Sequence, residues 1–150
     1  MLHKTIPTPT GDFTLTEQNN AIVRAEWRGG GTDNSALLTE AAAQVAAYFA
    51  GTLTEFQLPT RVNASAFQQD VCAIMAAIPF GETMTYGDIA KRLAAPAQAI
   101  GQACGGNPIP LIIPCHRVLG ANGLGGFSGT HGVETKVWLL KHEGAASLLI

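Results

Sequence analysis

Three short runs rich in β-branched and aromatic residues, Leu2–Ile6, Phe13–Glu17 and Ala21–Trp27, open the chain and predict strands. Pro7, Pro9 and Gly11 separate the first two, and Asn19-Asn20 separates the second from the third. Breaks this short join neighbouring strands as hairpins, so the runs predict a small antiparallel meander that ends at Gly29-Gly30-Gly31. The apolar spacing then lengthens toward 3.6. Leu37, Leu38, Ala41, Val45, Tyr48 and Phe49 predict an Ala-rich helix over 34–50. Leu58-Pro59 and the polar residues after it mark a linker, dividing the chain into parts 1–60 and 61–150.

The second part begins with a helix capped by Ser65 or Asn63, whose Phe67, Val71, Ile74, Met75 and Ile78 share one face until Pro79 and Gly81 stop it. Thr85 and Asp88 then have the spacing that satisfies the free amides at a helix start. That helix runs to about Leu93. Ala94-Ala95-Pro96 breaks it, and a second short helix follows from Pro96 to Gly105-Gly106, which together predict a helix-turn-helix. After Asn107-Pro108 an apolar stretch, Ile109–Ile113, leads into Pro114-Cys115-His116-Arg117. A loop rich in glycine and a last amphipathic helix over 133–143 complete the pattern. The predicted class is α/β of the α+β kind: a small antiparallel meander plus helix, then a helical domain.

Composition narrows the function. Hydrophobic residues make up 47% of the 150 and charged ones 13%, enough apolar material for a core and too little charge for a disordered chain. The net charge of -2 argues against coating nucleic acid or anionic membrane by bulk charge, while leaving a local basic or neutral face open. Three cysteines, Cys72, Cys104 and Cys115, show neither metal-ligand spacing nor a histidine cluster, so no disulfide framework, metal or cofactor is expected. With no apolar run near the roughly 20 residues of a membrane span, the expected setting is the reducing cytoplasm.

Cys115 is the residue with chemistry to explain. A thiol ending an apolar run is ordinarily an inert core residue. Here Pro114 stiffens the chain before it, and His116 and Arg117 follow at once, surroundings that can raise the thiolate fraction. Cys72 and Cys104, among Ala, Ile and Met, are expected in the core.

The passage Asn107-Pro108-Ile109-Pro110-Leu111-Ile112-Ile113-Pro114-Cys115-His116-Arg117-Val118 closely resembles the active-site signature of the O6-alkylguanine-DNA alkyltransferases, or methylated-DNA–protein-cysteine methyltransferases. Thr85-Tyr86-Gly87-Asp88-Ile89-Ala90, Gly123-Leu124-Gly125-Gly126-Phe127-Ser128-Gly129 and Lys136-Val137-Trp138-Leu139-Leu140-Lys141-His142-Glu143 extend the likeness, in the family's order, over about residues 65–145. The resemblance implies an RNase H-like N-terminal part and a single-turnover alkyltransferase. Cys115 takes the alkyl group of O6-alkylguanine, and to a lesser extent of O4-methylthymine, irreversibly as a thioether. A thiolate suits this displacement at saturated carbon better than an alkoxide.

By the same resemblance His116 acts as base through a bound water and Glu143 orients it. Asn107 bridges turns near the site, and Tyr86 gives a proton to the departing guanine. Val118 and Ser128 line the pocket for a flipped base. Thr85, Arg117 and the second helix of the helix-turn-helix meet DNA. The sequence departs from the family at Gln98, which stands where an arginine is expected, in a segment about two residues shorter than usual. Glutamine lacks arginine's charge and planar fork, so weaker DNA binding or base flipping is expected. Lys91, Arg92 and Arg117 are the candidates for phosphate contact or local structure, each alone ordinarily a surface residue or salt-bridge partner.

The zinc that some family members hold in the N-terminal part is not expected, because residues 1–60 contain His3 and no cysteine. The expected partner is double-stranded DNA carrying O6-alkylguanine, met by a monomer that is nucleoid-associated when bound, with no membrane involved. The runner-up is an alkyltransferase-like protein that flags alkylated DNA without repairing it. A cysteine hydrolase using Cys115, His116 and Glu143 and a plain DNA-binding regulator are the remaining readings.

Overall fold

The computed structural model describes residues 1–121, 123–125 and 132–145. It is an α+β fold. Strands β1 (Leu2–Thr8), β2 (Gly11–Gln18) and β3 (Ala21–Glu26) form an antiparallel sheet in chain order, with the register slipping between Thr16 and Glu17. The first turn pairs Thr8 with Gly11, and the second uses Asn19 and Asn20 at φ 51 and 61, the left-handed geometry that a tight asparagine hairpin takes.

A threonine ladder ties the glycine run to this sheet. Thr5 Oγ1 shares a hydrogen bond with Thr14 Oγ1 and accepts from Gly31 N at 2.7 Å, while Thr14 donates to the Arg28 carbonyl. Gly31 has no room for a side chain, since a Cβ would lie 2.9 Å from the backbone of His3, Lys4 and Thr5. Helix α1 (Ala36–Phe49) is capped by Ser35, whose hydroxyl accepts from Leu38 N at 3.0 Å and donates to buried Glu17. Leu38, Ala41, Val45 and Tyr48 form its buried face.

The predicted linker is docked on the sheet. Ile22 N donates to Pro59 O at 2.8 Å and Arg61 N to Ile22 O at 3.0 Å, so the segment covers part of the edge of β3 that faces away from β2. Helix α2 (Ala66–Ala76) starts at the Ser65 cap, as expected. Phe67, predicted to face the core, is 36% exposed, and Cys72 fills the buried face beside Val71 and Met75. At the first turn of a helix a residue of the apolar stripe can overhang the core's edge.

Strand β4 (Met84–Thr85) leads into α3 (Tyr86–Leu93) through a complete capping box between Thr85 and Asp88. Ala94 breaks the chain in the left-handed conformation, and α4 (Ala97–Gly105) follows from Pro96, giving the predicted helix pair. A 3-10 turn (Cys115–Arg117), strand β5 (Val118–Leu119) and α5 (Val133–His142) follow. One hydrophobic cluster, running from Phe13 and Leu15 through Val45 and Tyr48 to Ile100, Cys115 and Leu139, joins both parts of the chain. Among the described residues no helix is long and apolar enough to cross a membrane.

Candidate functional site

The segment after α4 is shaped by one side chain. Asn107 donates from Nδ2 to Ile113 O at 2.8 Å and accepts on Oδ1 from Ile109 N at 3.0 Å, closing residues 107–113 into a compact loop. Leu111 sits in this loop at φ 74, a conformation costing a non-glycine residue on the order of 1 kcal/mol, with its side chain buried. Pro108 O accepts from Ala25 N, anchoring the loop to β3. Pro114, at φ -81 and ψ 70, makes an inverse γ-turn in which Cys115 N donates to Ile113 O at 2.8 Å. The turn delivers Cys115 into the core at 5% exposure.

Glu143, just past α5, is a hydrogen-bonding hub. Its Oε2 accepts from His116 Nε2 at 2.7 Å, from the Tyr48 hydroxyl at 2.7 Å and from Arg117 Nη2 at 3.0 Å, and its Oε1 accepts from Arg117 Nε at 2.8 Å. Arg117 spends a further donor on Ile78 O. Burial pushes the Glu143 carboxyl up, but the bonds from His116, Arg117 and Tyr48 outweigh it and hold the group well below the usual carboxylate range. Burial lowers the pKa of His116 despite its carboxylate partner, so the imidazole is neutral. A neutral ring that donates from Nε2 carries a lone pair on Nδ1, and Nδ1 is buried with no hydrogen-bond partner among the described residues.

Burial pushes the Cys115 thiol up to about 11, with the Asn107 side chain and the Lys136 ammonium pulling the other way. The resting site therefore holds a thiol, a neutral base and an ionised carboxylate. Lys136 is itself fully buried, donates to Val118 O at 2.7 Å and is lowered to about 8 by burial. Cys104 is pushed up to about 12, and Cys72 is also raised, both by burial. These two thiols are in the core, as expected of them.

The opposite wall comes from a pairing of two-residue strands. Met84 and Thr85 of β4 pair in parallel with Val118 and Leu119 of β5, bringing the first residue of α3, Tyr86, beside the strand that leaves the cysteine turn. Tyr86 is half-buried, 5.9 Å from ring centroid to Lys136 Nζ, and packs so closely on Gly125 that a Cβ there would lie 2.7 Å from its hydroxyl oxygen. Val118 is fully buried.

Cys115, His116, Glu143, Asn107, Tyr86 and Val118 thus fall in one region. Arg117 differs from expectation. It is buried and clamped on Glu143 rather than presented to a phosphate, because a carboxylate this deep needs a bidentate cation to stay ionised. Thr85 accepts from Asp88 N as the cap of α3, and Gln98, Lys91 and Arg92 are exposed on the helix pair. Ser128 lies outside the described residues. Tyr48 and Lys136 were missed as site residues. Tyr48 has the spacing of an ordinary core position, but a lysine between the apolar turns of a helix was a signal in plain view.

Residues 1–62 match the 6-O-methylguanine DNA methyltransferase, ribonuclease-like domain, and residues 66–145 match the 6-O-methylguanine DNA methyltransferase, DNA binding domain. The methylated-DNA–protein-cysteine methyltransferase of Mycolicibacterium paratuberculosis is 39% identical over an alignment covering 94% of this chain and 91% of that protein. That of Mycobacterium leprae is 37% identical, covering 100% and 99%. Among solved structures, Mycobacterium tuberculosis OGT in complex with DNA superposes with a TM-score of 0.87 at 38% identity, covering 98% of this chain and 96% of that one.

Proposed function

The chain belongs to the 6-O-methylguanine DNA methyltransferase family, and we propose that it transfers the alkyl group of O6-alkylguanine in duplex DNA to Sγ of Cys115. Its function is direct-reversal DNA repair by methyl transfer from DNA to a protein cysteine, and its partner is DNA. The observation that carries the assignment of roles is the buried His116–Glu143 hydrogen bond, one residue along the chain from the buried Cys115.

Because burial keeps Cys115 a thiol, its proton must leave as the reaction occurs. In our reading the proton passes through a water to the free lone pair on Nδ1 of His116, while Glu143 fixes the other proton on Nε2 and stabilises the imidazolium. The new S–C bond forms as the C–O6 bond breaks. Guanine recovers a proton, with Tyr86 as its donor, and the thioether is stable, so each molecule acts once. Asn107 holds the cysteine turn, and Val118, with Ser128, lines the space for the extruded base. The helix pair α3–α4, including Thr85 and Gln98, meets the duplex. Residues 1–60 support residues 61–150, which carry the DNA contact and the acceptor. O4-methylthymine is the lesser substrate. We expect a monomer that works on nucleoid DNA in the cytoplasm without a membrane partner.

Intact and peptide mass spectrometry after incubation with a duplex bearing one O6-methylguanine tests this reading. The expected result is a stoichiometric gain of one methyl on the Cys115 peptide, absent in Cys115→Ala. Tight, lesion-selective binding without that gain would instead favour a protein that flags damage.

A further inference from the structure

One hydrogen bond to the Glu143 carboxylate comes from the far part of the chain. Tyr48 lies near the C-terminal end of α1, 1% exposed, and its hydroxyl donates to Oε2 at 2.7 Å. The ring alone fills the space: it stacks on Phe56 at 5.6 Å and meets Phe49 and Phe80 edge-on. A phenylalanine would make those contacts equally well, so the hydroxyl is separable from the packing. Its backbone is held too, with the Tyr48 carbonyl 2.7 Å from His142 Nε2, one residue before Glu143.

We propose that Tyr48 is a positioning residue for alkyl transfer, its hydroxyl fixing Oε2 of Glu143 so that the carboxylate holds His116 without drawing its proton away. The inference rests on His116 serving as the base for Cys115. Three donors converge on Oε2 (His116, Tyr48 and Arg117), and each lowers the oxygen's basicity. With its negative charge shared in this way, Glu143 orients the imidazole but raises its proton affinity less than a bare carboxylate would.

Glu143 meets His116 and Arg117 from the cysteine turn and Tyr48 from α1; His116 also feels Lys136 from α5; His142 packs against the Tyr48 ring at 5.0 Å. Burial raises the phenol's pKa far above neutrality, so Tyr48 remains a donor across the working range.

Tyr48→Phe separates this role from packing. Removing the hydroxyl leaves the carboxylate more basic, which stabilises the imidazolium and raises the pKa of His116. The acid limb of the single-turnover methyl-transfer rate then moves up by about half a pH unit, a roughly threefold slower reaction on that limb. Phe56→Leu, which disturbs the stacked ring and no hydrogen bond, leaves the limb in place. Equal limbs for the wild type and Tyr48→Phe would overturn the inference, as would an equal shift in Phe56→Leu. The ¹⁵N resonances of labelled His116 supply a readout free of chemistry: an unchanged Nε2 signal in Tyr48→Phe would also count against the role. Failure of the acceptor reading looks different, since the wild type itself would then leave Cys115 unmethylated.

Discussion

Four hydrogen bonds converge on the two oxygens of Glu143, and their donors are not equivalent. Arg117 supplies two of them and the only fixed positive charge, so Arg117→Ala leaves a buried carboxylate with neutral donors. Breaking a buried pair in this way costs about 3–5 kcal/mol, which urea denaturation of Arg117→Ala should register as a lower midpoint with an unchanged slope. Gly125 illustrates a steric rather than electrostatic constraint. It stands at φ 72, and a Cβ there would lie 2.7 Å from the Tyr86 hydroxyl oxygen. Gly125→Ala should therefore displace the Tyr86 ring and slow methyl transfer by about tenfold to a hundredfold, while a thermal melt shows the fold retained. Recovery of full single-turnover rate in that variant would show that Tyr86 need not hold its position.

Helices α3 and α4 carry their own boundaries in the sequence. The Thr85–Asp88 box starts the first, Ala94 ends it in the left-handed conformation and Pro96 precedes the second, each by a rule that acts within a few residues. The cysteine turn was legible only through the family resemblance, which implied the bridging that Asn107 makes to Ile109 and Ile113, whereas local rules left 109–113 an apolar stretch. The β4–β5 pair was not legible, because two residues per strand leave no periodicity and the partners lie some thirty residues apart. Arg117 was misjudged on the same ground: its carboxylate is distant in sequence, so only the fold reveals why the cation is inside. Gln98 is exposed in the first turn of α4 and neutral, at the position where the family resemblance leads one to expect arginine. Gln98→Arg should speed methyl transfer from duplex DNA by about tenfold, within the range of one good polar contact, and leave transfer from the free O6-methylguanine base unchanged. An equal gain on both substrates would place the effect in the pocket instead of at the helix–DNA contact.

Across the whole molecule, the division near residue 60 that Leu58-Pro59 marks in the sequence does not divide the core. Phe13, Val45 and Tyr48 share a cluster with Ile100, Cys115 and Leu139, and Tyr48 reaches Glu143 across it. A core common to both parts predicts one cooperative transition. The two tryptophans provide a probe in each part, Trp27 beyond β3 and Trp138 within α5. Fluorescence of Trp27→Phe and Trp138→Phe should thus report unfolding midpoints that coincide with each variant's own circular-dichroism midpoint, and an earlier loss around Trp27 alone would mean that the sheet opens independently.

The same hub sets how the molecule meets acid. Glu143 joins α1, the cysteine turn and the end of α5, and its folded pKa lies well below the ordinary value of 4.5. A carboxylate depressed by folding contributes stability that is fully present above its unfolded pKa and is lost as pH falls through the folded one. The unfolding midpoint should accordingly begin to fall below about pH 6.5, where the unfolded chain protonates the histidine that the fold keeps neutral, and decline more steeply below about 4.5, where proton uptake by the unfolded Glu143 adds to it. Protonation at the hub would also weaken the ties between the two parts together, since Arg117 and Tyr48 bind the same carboxylate from different elements. Glu143→Gln should be less stable than the wild type at pH 7, because Arg117 loses its counter-charge, yet its midpoint should fall less steeply below pH 4.5. If both proteins lost stability with the same slope, the acid sensitivity would have to arise from other carboxylates, and Glu143 would not be the group through which folding senses pH.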